Sequence, residues 1–146
     1  MKQIKLSLYL LLVMLLFGCN TSENDHSHQP AVYENIKTDI NIQIKDSYIT
    51  TETQEIVLLF INNTDEEILY SDESIILEKK TDDGFVYIDK YGAGHEMATA
   101  LLANDTNTLT IHVKPLSPGT YRFVFLQGFS TPKGPVYISP EFRVNE

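Results

Sequence analysis

The feature that most narrows the fold is a recurring alternation of apolar and polar residues in short runs, each closed by turn formers. Ile40, Ile42 and Ile44 alternate with Asn41, Gln43 and Lys45, the period-two pattern of a strand buried on one face. Glu55 to Ile61 is a near-continuous apolar run, which predicts a central strand covered on both faces. Asn62-Asn63-Thr64-Asp65 supplies the turn after it, and Ile68-Leu69-Tyr70 a short strand. Ser74 to Lys80 and Phe85 to Asp89 flank Thr81-Asp82-Asp83-Gly84, a hairpin signal with Gly84 at the position needing positive φ. Leu109, Ile111 and Val113 alternate with polar neighbours, as do Tyr121, Phe123 and Phe125. Val136 to Ile138 and Phe142 to Val144 read as one last strand, with Pro140 marking a bulge or an edge. His95 to Asn104 alone is expected to be helical, with Asn104 as C-cap. Seven or eight short strands with regular turn signals predict an all-β sandwich over residues 33–146.

Everything before that domain reads differently. Lys2 and Lys5 precede an apolar run from Leu6 to Phe17. As a helix that run reaches about 18 Å at 1.5 Å per residue, short of a hydrocarbon core about 30 Å thick. It fits an export signal over residues 1–18. The chain's 1 cysteine, Cys19, stands where that segment ends. Leu16-Phe17-Gly18-Cys19 resembles the lipobox of bacterial lipoproteins, with Leu three before the cysteine and a small residue just before it. The resemblance implies that the Cys19 thiol receives a diacylglycerol and that a peptidase cuts between Gly18 and Cys19. Two or more acyl chains hold a protein stably on a bilayer, whereas one is marginal. Residues 19–32 are almost wholly polar and are expected to form a flexible tether. Removal of Lys2 and Lys5 takes the formal charge from -9 to -11. An anionic membrane surface repels such a domain, so the lipid has to be the attachment.

Leu116-Ser117-Pro118-Gly119-Thr120-Tyr121 has the form of a tyrosine corner. In that device a tyrosine opens a strand after a tight turn and returns its hydroxyl to the upstream backbone. Leu116, Pro118, Gly119 and Tyr121 are its structural residues. Val57-x-Leu59-x-Ile61-x-Asn63-Thr64-x-x-x-Ile68-x-Tyr70, Ile76-Leu77-Glu78-Lys79-Lys80-x-x-x-Gly84 and Ser139-Pro140-Glu141-Phe142-Arg143-Val144 accompany it. Together these stretches resemble a bacterial immunoglobulin-like domain of lipoproteins and envelope proteins, over about Thr50 to Glu146. The resemblance implies an extracytoplasmic immunoglobulin-like sandwich with no catalytic residues to carry over. Two departures stand out: there is no Trp, with Phe85 where an aromatic often follows the hairpin glycine, and no Cys pair.

Chemical motifs are sparse. A net charge of -9 argues against a nucleic-acid surface. His95-Glu96-Met97-Ala98-Thr99 lacks the second histidine that a zinc-binding helix needs four residues on. His26 and His28 stand in the polar tether without further ligands nearby. Asp65-Glu66-Glu67, Asp72-Glu73 and Asp82-Asp83 lack calcium-loop spacing and read as solvated turns. No metal or other cofactor is expected. Tyr70, Phe85, Tyr87 and Tyr91 lie around one hairpin and form the candidate binding patch, since aromatic side chains anchor many interfaces. The functional expectation is a non-catalytic, lipid-anchored module on the outer face of the cell membrane that binds an envelope protein or cell-wall polymer. A structural spacer or assembly accessory is the alternative, and a small hydrolase a distant one. Oligomeric state is left open.

Overall fold

The computed structural model describes residues 30–70, 75–91, 99–126 and 134–146. In chain order the strands are β1 (Asn35–Ile36), β2 (Ile40–Ile44), β3 (Ile49–Thr50), β4 (Glu55–Asn62), β5 (Ile68–Tyr70) and β6 (Ile75–Thr81). They continue with β7 (Gly84–Tyr91), β8 (Thr99–Leu101), β9 (Thr106–His112), β10 (Gly119–Leu126), β11 (Pro135–Ile138) and β12 (Phe142–Asn145). The larger sheet runs β7-β6-β10, then β11 and β12 end to end along the other side of β10. β1 and β3 close that edge as parallel partners of β11 and β12. The second sheet is β2-β4-β9, and β5 pairs with β8. The chain therefore crosses between sheets three times at its start: β1 and β3 join the larger sheet, while β2 and β4 join the other. Two sheets packed through such crossings make an immunoglobulin-like β-sandwich.

The alternation explains the packing. Ile40 and Ile42 of β2, Ile56, Leu58 and Phe60 of β4 and Ile111 of β9 are buried on one side. They meet Ile75 and Leu77 of β6 and Tyr121, Phe123 and Phe125 of β10 in one core cluster. The Phe60 and Phe125 rings join the sheets edge to face at 4.9 Å, a favoured aromatic geometry. Tyr70 stacks on the Phe60 ring at 4.6 Å, and its hydroxyl accepts from Asn107 Nδ2 at 2.9 Å. With no disulfide needed, a chain of this size buries roughly two-thirds of its unfolded surface.

Several expectations need correction. β4 is central in its sheet, but only one face is fully buried; Val57, Leu59 and Ile61 on the other are half-buried. The expected helix over His95 to Asn104 is not found where it is described. His95 to Ala98 lie outside the described residues, and Thr99–Leu101 is strand β8, antiparallel to β5. Pairing with β5 while Leu101 enters the core outweighs the modest helix preference of Ala and Leu. Asn104 does adopt the left-handed conformation, φ 56°, but it turns the chain between strands rather than capping a helix. The last strand is two segments with a one-residue slip between them. Val124 faces Ile138, whereas Tyr121 faces Phe142, so Ser139-Pro140-Glu141 holds the extra residue of a bulge. Finally, the tether expected up to residue 32 already meets the sheet at Pro30, which bridges to Val86.

Candidate functional site

The hairpin β6–β7 and strand β10 present a second, outward face. Alternation places Ile76, Glu78 and Lys80 there from β6, and Arg122 and Val124 from β10, since Arg122 pairs with Glu78 and Val124 with Ile76. Glu78 is a charged residue beside two lysines, a composition that ordinarily faces water. Its side chain is instead fully buried, 0% exposed. An ionised carboxylate taken from water needs partners, and it has two. Arg122 Nε donates to Oε2 at 2.7 Å, and the Tyr33 hydroxyl donates to Oε1 at 2.5 Å. The Arg122 guanidinium also lies 3.9 Å from the Phe85 ring centroid and 5.9 Å from that of Tyr33, where the ring faces attract it. Burial pushes the Tyr33 hydroxyl well above the usual tyrosine range, and hydrogen bonding to Glu78 raises it further. At the rim Lys80 pairs with Glu141 at 3.0 Å.

The strand carrying most of the predicted aromatic patch is interrupted by a bulge. Glu78 faces Tyr87, but the next residue of β6 inward, Leu77, faces Asp89. Ile88 is therefore the extra residue, and it resets which side chains face the core. Phe85 and Tyr87 stay on the outward side with Glu78, whereas Tyr91, opposite Ile75, packs against the core cluster. Tyr70 belongs to the sandwich interior at 1% exposure. The structure thus does not bring the four predicted residues together. Tyr87 and its neighbour Ile88, each 43% exposed, are what remains open to solvent. The sequence reading missed Tyr33, Glu78 and Arg122. The one available signal was an arginine at an alternating position opposite a glutamate, visible only once strand register is known.

The residues of the tyrosine corner are placed as follows. The Tyr121 hydroxyl donates to the Ser117 carbonyl at 2.7 Å, and Tyr121 and Leu116 are buried. Gly119 has φ 154°, and Lys79 Nζ donates to Ser117 Oγ at 2.7 Å across the turn. Gly18 and Cys19 lie outside the described residues.

An open groove of about 410 Å3 runs between the β2–β3 connection and β12, lined by Gln43, Asp46, Ser47, Phe142, Arg143 and Asn145 among others. Two of its polar groups serve the fold. Asp46 accepts from the Val57 amide at 2.7 Å, and Asn145 Nδ2 donates to the Ile49 carbonyl at 3.2 Å. Among the described residues no group of three His, Cys, Asp or Glu side chains is placed to hold a metal ion.

One similar solved structure is the ASH / PapD-like domain of human CEP192 (PapD-like domain 7). It is 15% identical, over 81% of this chain and 92% of that chain, with a TM-score of 0.32. A likeness this distant leaves the fold to be read from the strand order itself. No protein-family model and no curated protein matches the chain.

Proposed function

We propose that the protein is a lipid-anchored, extracytoplasmic, non-catalytic immunoglobulin-like module that binds an envelope protein or a cell-wall polymer. The observation that carries this reading is Leu16-Phe17-Gly18-Cys19 directly after a basic, then apolar, leader. The domain's own chemistry supports the non-catalytic part. Its buried ion pair, Glu78 with Arg122, holds strands together and has a tyrosine from its own chain as third partner. Attachment is tested by Cys19→Ala. The variant is expected to leave the membrane fraction or to accumulate unprocessed; membrane-bound protein of the mature size would overturn the reading.

The surface offered for binding is Tyr87 with Ile88 on the bulged part of β7. Recovery of a partner from detergent-solubilised membranes is expected to fall for Tyr87→Ala. The spacer reading gains from the burial of Tyr70 and the inward packing of Tyr91, which shrink the patch. Equal recovery by both proteins, with no specific partner, selects that reading.

A further inference from the structure

Residues 30–36 lie across the outward face of the larger sheet as a strap. The Ala31 amide donates to the Phe85 carbonyl at 2.8 Å on the edge of β7. Pro30 packs over Gly84, where an added Cβ would stand 3.3 Å from its own Cβ. The Tyr33 hydroxyl reaches Glu78 in the middle of the sheet. Asn35 and Ile36 run parallel to Pro135 and Val136 at the far side, and the Lys37 amide closes the strap on the Val136 carbonyl at 2.8 Å.

Polar contacts hold this strap, together with the partly buried Tyr33 ring and Pro30 against Gly84, rather than any large aliphatic side chain. Its two large aliphatic residues face water, Val32 at 80% and Ile36 at 52% exposure. What it covers is the reverse: Glu78, Val124 and Val136 are fully buried, and the two valines stand apart from the main core cluster. A segment with little apolar burial and few hydrogen bonds opens at lower cost than the core beneath it. Opening leaves no orphan either, because Glu78 keeps Arg122 and gains water. The face beneath accepts an extended chain: it offers a free strand edge at Phe85, a glycine gap that takes a proline, and a carboxylate that takes a phenol.

We propose that residues 30–36 are a releasable strap, and that the face under them is a site for an extended peptide carrying a tyrosine, filled here by the chain's own segment. Nothing in this depends on acylation of Cys19. The test is hydrogen exchange by NMR on the full-length chain in detergent. The Ala31 and Lys37 amides are expected to exchange together and faster than that of Phe123 in β10. Tyr33→Phe, which removes only the hydroxyl bonded to Glu78, is expected to speed the strap amides by about tenfold, as for the loss of a hydrogen bond to a charged group, and to leave Phe123 unchanged. Free peptide Pro-Ala-Val-Tyr-Glu-Asn-Ile-Lys in excess is then expected to shift the Phe85 resonances of that variant, and its phenylalanine analogue to do so weakly. If strap and Phe123 share one rate in the unmodified chain, the strap is an integral part of the sandwich and the proposal fails. If the strap opens but peptide leaves Phe85 unmoved, the peptide site is refuted.

Discussion

Ser139 shows how one side chain repairs a break in a sheet. At the slip between β11 and β12 the Phe123 amide lacks a carbonyl opposite it, and Ser139 Oγ accepts instead at 2.9 Å. The same hydroxyl donates to the Pro140 carbonyl at 2.9 Å, while the Ser139 amide returns a bond to the Phe123 carbonyl at 2.9 Å. Ser139→Ala strands a buried amide, and a buried donor without a partner costs about 1–3 kcal/mol. Urea titration should show that loss as a lower midpoint at unchanged slope. Tyr121→Phe removes the hydroxyl's contacts with the Ser117 carbonyl and Oγ and leaves the ring against Phe142. Its expected cost is smaller, about 1 kcal/mol, by the same titration.

At the scale of elements, β4 shows what alternation can and cannot convey. Its inward residues Ile56, Leu58 and Phe60 carry the second sheet's share of the core. Phe60 touches both Tyr70 and Phe125, so Phe60→Ala opens a cavity between the sheets and is expected to cost about 3–5 kcal/mol. Thermal unfolding measures it. Strand positions and the hairpin at Gly84, with φ 128°, are legible in the chain because they depend on near neighbours. The bulge at Ile88 is not, because an extra residue leaves no mark in a run already rich in apolar side chains. That bulge is why Tyr91 turns inward and why a patch inferred from proximity in sequence disperses. The Glu78 site was equally hidden. Its burial depends on Tyr33, 45 residues away, and on Arg122, 44 residues away. The segment 99–101 misled for the opposite reason: helix formers are present, but a partner strand distant in sequence decides.

The whole molecule combines an acidic surface with tyrosines whose hydroxyls are held neutral inside it. Burial raises Tyr33, Tyr91 and Tyr137 above the ordinary range, and the carboxylates of Glu78, Asp89 and Asp39 respectively add to it. In the unfolded chain these groups ionise near pH 10. Their contribution to stability is therefore complete below about pH 10 and is lost as pH rises toward their folded values. The urea midpoint should stay level from about pH 8 to pH 10 and fall beyond it. Tyr33→Phe should flatten part of that fall. A different consequence follows from Asn62 at the end of β4. Its side-chain nitrogen donates to the carbonyls of Glu66, Leu101 and Leu102, and its oxygen accepts from Thr64. Asn62-Asn63-Thr64 is also an acceptor tripeptide for N-linked sugar. Made through a eukaryotic secretory route, the chain is open to glycosylation on Asn62 before folding, and a glycan there has no room in the finished sandwich.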